Sequence, residues 1–279
     1  MRTERASGLP FMKMHGLGND FVVIDARDGG AAGVTPALAQ ALADRHRGVG
    51  FDQLAVIGEG GDDADLRLDF RNADGSVSAA CGNATRCIAR WEMDRTGKRA
   101  LVIRTARGLL HAVDAGAGMT AVNMGHPETD WARIPLAQAM DTLHLPIAGD
   151  PVATGMGNPH CTFFVEDTEA VDLADFGPPH EHHPLFPERT NVQVVQVLSP
   201  GRLRMRVWER GTGITLASGS SSCAVAVAAA RRGVAGRHVT VVLDGGEIDV
   251  NWREDGVWMT GPASHVFDGV LRPGFLAGL

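Results

Sequence analysis

Apolar and polar residues alternate in FVVIDA (21–26), LRLDF (66–70), LVIRTA (101–106), CTFFVE (161–166), NVQVVQVL (191–198), RLRMRVWE (202–209) and HVTVVLDGG (238–246). Gly-rich turns separate these runs, so each is predicted to be a strand. Helical patterning covers PALAQALADRH (36–46), Cys81 to Asp94, and an Ala-rich stretch from Ser218 to Arg232 that ends before Gly233. The pattern therefore predicts a mixed α/β chain.

One sub-pattern occurs twice. LRLDF, a Gly-containing turn and a helix opened by Cys81-Gly82 are answered by RLRMRVWE, a Gly-containing turn and a helix opened by Ser218-Gly219. Cys81 follows Phe70 by 11 residues, and Ser218 follows Trp208 by 10. Such self-similarity suggests two similar domains facing each other across a cleft, divided near Asn123–Pro135, although chance pairing of strands and helices explains the periodicity equally well. The expected boundaries are 12–128 for a domain carrying Cys81 and 129–267 for one carrying Ser218. Residues 268–279 would then return to the first domain, and the polar residues 1–11, ahead of a second methionine at Met12, would form a disordered extension.

Composition narrows the function classes. The 279 residues, 44% of them apolar, suffice for one large core or two ordinary ones. A net charge of -7 with 26 scattered Lys and Arg provides no basic field for nucleic acid. The longest apolar runs, such as Ala224–Ala230, fall far short of the roughly 20 residues that cross a bilayer, and the N-terminus lacks an apolar signal core. A soluble, cytoplasmic protein is expected. Cys81, Cys87, Cys161 and Cys223 include no CxxC pair and read as free thiols in a reducing compartment. His180, His182 and His183 lie beside Pro178, Pro179 and Pro184, which favours a solvated loop over a metal site.

The first helix mouth carries chemistry. A Cys followed by Gly and Asn at a helix start sits among unpaired N–H groups that lower a thiol's pKa and hold an anion. Glycine at 82 lets a ligand approach, so the following amides could grip a carboxylate while the sulfur of Cys81 reaches the adjacent α-carbon. A lone Cys so placed more often packs than reacts. The surrounding strings reverse that balance: MHGLGNDFVVID (14–25), FDQLAV (51–56), NADGS (72–76), CGNATRC (81–87), GNPHCTFFV (157–165), TNVQVV (190–195) and WERGTGITLASGSSSCA (208–224).

Together these strings resemble the diaminopimelate epimerase family, in order and at comparable spacing from Met12 onward. The resemblance implies two pseudo-symmetric α/β domains, each a sheet wrapped around a central helix, with a two-base active site in the cleft. It implies epimerisation of LL-diaminopimelate to the meso isomer, a step serving lysine and cell-wall precursor synthesis, without pyridoxal phosphate, metal or other cofactor. Carried over by position, Cys81 is the first catalytic thiol, and the amides of Gly82 and Asn83 hold the reacting carboxylate. Asn19, Gln53, Asn72, Asn158, Asn191, Glu209 and Arg210 line the substrate site. Arg210 suits a carboxylate fork, Asn72 and Asn191 can add hydrogen bonds to it, and Glu209 can pair with an ammonium. His160 is a neighbour able to tune a thiol or to serve structure. The partner implied is a small amino-acid substrate, with no nucleic acid or membrane, and a homodimer is compatible with the family.

The second motif departs from the family. Where it has GETxACGTGAC this chain reads GITLASGSSSC, which places Ser218 at the second catalytic thiol, followed by Gly219 and Ser220, and Ile214 at the acidic position. A serine hydroxyl is a far weaker acid than a thiol, whose ordinary pKa is about 8.5, and needs an adjacent base. Epimerisation with Ser218 relaying the second proton is the favoured reading. A racemase or one-base dehydratase or lyase acting on another amino acid, and a non-catalytic zwitterion-binding module, are the alternatives. Cys223 lies about 7 Å further along its helix, and with Cys87 and Cys161 it is expected to pack in the core.

Overall fold

A computed structural model describes residues 8–27, 34–78 and 81–279. Of these, the residues up to 16, from 20 to 120 and from 262 onward form one compact unit, and 17–19 with 121–261 form the other. The division thus falls after Thr120 and the return to the first unit begins at Pro262, earlier in both cases than the pattern of the sequence placed them.

The first unit contains β1 (Leu9–Gly16), β2 (Asn19–Asp25), α1 (Pro36–Ala43), β3 (Gln53–Glu59), β4 (Leu66–Asn72), β5 (Val77–Ser78), α2 (Gly82–Thr96), β6 (Ala100–Thr105) and β7 (Gly108–Gly116), with β8 (Met119–Asn123) leading out of it. The second runs through β9 (Val152–Gly155), β10 (Pro159–Phe164), α3 (Leu173–Glu181), β11 (Asn191–Ser199), β12 (Arg202–Glu209), β13 (Gly213–Thr215), α4 (Gly219–Arg231), β14 (His238–Leu243), β15 (Gly246–Arg253) and β16 (Gly256–Pro262). β17 (Ser264–Leu271) and α5 (Pro273–Leu276) close the first unit.

Strand pairing repeats one plan. β2 and β3 are parallel, β3 and β4 antiparallel, β4 and β6 parallel, and β6 and β7 antiparallel. β10, β11, β12, β14 and β15 pair in that same succession. A short strand flanks the middle of each sheet, β5 on β4 and β13 on β12. The two strand–turn–helix segments of the sequence are therefore equivalent parts of a duplicated fold.

The strands of each unit wrap one helix. α2 packs on β1, β6, β7 and β17, and α4 on β9 to β12, β14 and β15. A helix surrounded on all sides cannot keep a polar face, and α4 meets this with Cys223 to Ala229, every one fully buried. Its alanines let the sheet come close. α2 instead buries Arg86, whose Nε donates to the Pro262 carbonyl at 3.0 Å and whose Nη1 donates to Asn83 Oδ1 at 2.9 Å. Outside these helices, α1 packs on Val22, Ile24 and Leu54, and α3 contributes Leu173 to a core with Phe163, Phe186, Val192 and Val194.

Two expectations are corrected. Leu9, Pro10 and Phe11 are not a disordered extension but pair in β1 with Leu271, Val270 and Gly269 of β17; the rest of that expected extension, residues 1–7, lies outside the described residues. Pro178, Pro179 and His180 belong to α3 and not to a solvated loop. Asp172 caps this helix by accepting from the Ala174 and Asp175 amides, and the His180 ring stacks on Phe176 with centroids 4.2 Å apart. Strands such as β9, buried throughout, and β17, largely exposed, do not alternate and so escaped the pattern. Among the described residues no helix is long and apolar enough to cross a membrane.

Gly177 decides how closely α3 can lie on β12, because a Cβ there would overlap the Trp208 ring. Replacing it with alanine gains about 1 kcal/mol of helix propensity but overpacks the contact by about 3 kcal/mol. G177A is expected to be less stable by about 2 kcal/mol, seen as a lower urea midpoint; an unchanged midpoint would show that α3 does not press on Trp208.

Candidate active site

The functional residues fall into two half-sites, one per unit. In the first, Cys81 is the N-cap of α2 with extended backbone, φ -142° and ψ 103°, and its Sγ accepts from the Ala84 amide at 3.4 Å. That donor stabilises negative charge on sulfur. Thr85 ties the same turn by donating from Oγ1 to the Cys81 carbonyl at 2.8 Å. Gly82 and Asn83 form the first turn, and the Asn83 side chain is held through Arg86.

Gln53 and Asn72 are cross-strand partners on β3 and β4. Gln53 Nε2 donates to Asn72 Oδ1 and to Ser78 Oγ, both at 3.1 Å, while Asn72 Nδ2 donates to Ser76 Oγ at 3.0 Å. Both amides are thus oriented by neighbours, Ser76 in the turn after β4 and Ser78 of β5. The other thiol of α2, Cys87, is fully buried, and burial pushes it up to about 11. Cys161, enclosed in β10, is pushed higher still for the same reason, and Cys223 is fully buried in α4. Of the four cysteines, Cys81 alone stands at a helix mouth.

In the second unit Ser218 is the N-cap of α4 with φ -141° and ψ 117°, nearly the backbone of Cys81. Its hydroxyl does something different. Ser218 Oγ makes no capping bond and donates to Glu209 Oε2 at 2.9 Å, while Thr215 Oγ1 donates to Glu209 Oε1 at 2.6 Å. The carboxylate at the end of β12 is therefore fixed by two hydroxyls, one of them at the position of the missing thiol. Gly219 and Ser220 begin the helix, with Gly219 buried and Ser220 half-buried.

Around this pair the strand ends converge. His160 and Asn191 are register partners at the starts of β10 and β11. Asn191 Nδ2 donates to the Pro159 carbonyl and its Oδ1 accepts from the Arg210 amide, both at 3.0 Å. The Asn191 side chain thus ties the backbone of Arg210 to β10. Arg210 donates from Nη1 to the Glu188 carbonyl at 2.9 Å. Burial, then the charge of Arg189, makes its guanidinium easier to deprotonate than usual, against the opposing charges of Glu188 and Glu181.

His160 is fully buried. Its Nε2 lies 2.9 Å from Asn158 Oδ1 and its Nδ1 3.0 Å from Gln193 Nε2. With Gln193 Nε2 as a donor, Nδ1 accepts and Nε2 donates to Asn158 Oδ1. Gln193 also donates to Ser221 Oγ at 3.1 Å and accepts from Thr162 at 3.1 Å. Gln193, Thr215 and Ser221 were not singled out from sequence; a buried glutamine amid valines in NVQVV was the available signal. Asn19 is buried at the start of β2, directly after Leu17 and Gly18, whose positive φ values, 56° and 83°, make the turn of HGLGND.

Comparison with known proteins agrees with this architecture. The sequence profile described as Diaminopimelate epimerase matches residues 11–129 and 152–266. A protein of Rhodospirillum centenum named diaminopimelate epimerase is 52% identical over 274 residues, covering 96% of this chain and 94% of its own. One of that name from Acidiphilium cryptum is 50% identical, covering 98% and 99%. Among solved structures, a hydroxyproline epimerase of Agrobacterium vitis superposes with a TM-score of 0.68 at 16% identity, over 98% of this chain and 94% of its own. A PhzF-family phenazine biosynthesis protein of Bacillus anthracis gives 0.66 at 16% identity, over 95% and 99%. These two likenesses establish a shared fold, and the full-length identities establish the family: the chain belongs to the diaminopimelate epimerase family.

Proposed function

We propose that this protein epimerises LL-diaminopimelate to meso-diaminopimelate, with Cys81 acting on one face of the α-carbon and Ser218, backed by Glu209, on the other. The observation that carries this reading is the matched N-cap geometry of Cys81 and Ser218, together with the 2.9 Å bond that gives Ser218 an adjacent base. First-turn amides of α2 and α4 are suited to the carboxylate of the reacting centre, where negative charge develops as the α-proton leaves. No group outside the chain is needed to account for the proton transfers.

Starting with a Cys81 thiol and a Glu209 carboxylate, the α-C–H bond breaks and its proton passes to Ser218 Oγ as the hydroxyl proton passes to Glu209 Oε2. The electron pair stays on the α-carbon and is delocalised into the gripped carboxylate. Cys81 then delivers its proton to the opposite face, leaving a thiolate and a Glu209 carboxylic acid. The reverse reaction, or exchange with water, restores the starting form. An ordinary carboxyl titrates near 4.3 and an ordinary thiol near 8.5, so this pair is a weaker base on one side than two thiols would be.

Chiral chromatography of LL-diaminopimelate incubated with the protein tests the reading; failure to form the meso isomer at any enzyme concentration would remove it. C81A is expected to lose at least about 10³-fold in kcat and E209Q about 10²-fold, in keeping with the loss of an acid/base group. S218C supplies a group that can ionise by itself and is expected to raise kcat about 10-fold or more; a fall would show that Ser218 is not a weakened thiol position. Iodoacetamide at pH 8 is expected to label Cys81 ahead of the enclosed Cys87, Cys161 and Cys223, with activity falling in step. Labelling of Cys81 without loss of activity would contradict its role.

A further inference from the structure

We infer that Glu181, a residue outside the catalytic set, is the positioning residue that aims Glu209 and Arg210. Glu181 ends α3 and is 3% exposed. Its two carboxylate oxygens reach residues on either side of the functional pair. Oε2 accepts from Trp208 Nε1 at 2.7 Å, and Oε1 accepts from the Gly211 amide at 2.9 Å. Arg189 Nη1 adds a longer contact to Oε1 at 3.4 Å, and the Glu181 carbonyl accepts from the Thr190 amide at 3.2 Å. One buried side chain thus spans the exit of β12, holding the residue before Glu209 and the residue after Arg210.

The geometry of that exit makes such a clamp necessary. At Gly211 the chain turns with φ 74°, and the Thr212 amide closes the turn by donating to the Glu209 carbonyl at 3.0 Å. The clamp is supported from both sides, since Gly177 lets α3 approach the Trp208 ring and Asn191 holds the Arg210 amide between the two points that Glu181 fixes. Two acceptors on one rigid carboxylate fix a distance as well as a direction, and a small misplacement of a catalytic group costs far more in rate than in stability. A glutamine at 181 keeps the size but presents an NH₂ group to an N–H donor, so one of the two bonds must fail. Glu181 therefore acts through Glu209 and Arg210 and does not itself touch substrate.

This inference rests on the proposed epimerisation for its kinetic reading, and amide exchange supplies a reading that does not. In E181Q, assayed well below its melting temperature, KM for diaminopimelate is expected to rise about 10-fold as Arg210 is released. kcat should fall by a similar factor as Glu209 loses its aim, and the Gly211 amide should exchange with deuterated water at least about 10-fold faster. W208F, which removes the indole N–H and keeps a smaller aromatic ring, should show a smaller shift of the same kind. A lowered melting temperature with KM, kcat and Gly211 exchange unchanged would make Glu181 a stabilising residue only and overturn the inference. Should wild-type protein fail to form the meso isomer, the proposed function falls; Gly211 protection that is lost in E181Q would still uphold the clamp, and protection that is retained would overturn it.

Discussion

A helix enclosed by a sheet can satisfy its first-turn N–H groups only through a cap or a ligand, and that constraint governs both halves of this protein. α4 is buried from Ser221 to Ala229 and α2 from Gly82 to Ala89, whereas the last turn of α2, Asp94 to Thr96, is exposed. The sequence answers with a small polar residue in extended conformation at each N-cap. At Cys81 the sulfur takes up one first-turn amide, whereas at Ser218 the hydroxyl turns away to Glu209. The two mouths are equivalent in backbone and different in chemistry.

That difference is a matter of where the proton can go. A thiol can lose its proton to water near neutral pH; a serine hydroxyl cannot and must hand it to a neighbour. Glu209 stands where that neighbour is needed, and Thr215 keeps it from rotating away. A substitution that in isolation would cost the enzyme a base is here accompanied by a carboxylate in contact. Asn191 on the Arg210 amide and Glu181 on Trp208 and Gly211 hold the strand end that carries that carboxylate.

Much of this was legible in the sequence because the relevant strands have one apolar face. RLRMRVWE matches β12 residue for residue, and the duplicated strand–turn–helix pattern placed both helix mouths within a residue. α3 was missed because Pro178 and Pro179 lack the N–H groups a helix interior uses, and read locally they mark a break. The duplication held the better signal, since α1 lies between the parallel strands β2 and β3 and a counterpart was due between β10 and β11. Glu181 was missed with α3, and Gln193 escaped for another reason. In a sheet buried on both faces, the polar side of an alternating strand looks into the protein, and the glutamine beside Val192 and Val194 faces His160 and Ser221 instead of water. Alternation reports which residues share a face but not whether that face is wet.

The most direct test of the central claim, that Ser218 and Glu209 form a working second base that complements Cys81, is isotope partition at low conversion. LL-diaminopimelate is incubated in deuterated water to less than about one tenth of equilibrium, and deuterium is measured separately in the meso product and the remaining substrate. One deuteron is expected at the inverted carbon of the product, with protium retained in the substrate, because the two faces are served by different groups. Deuterium accumulating in the LL isomer without meso product would mean that one base works alone, and would contradict it.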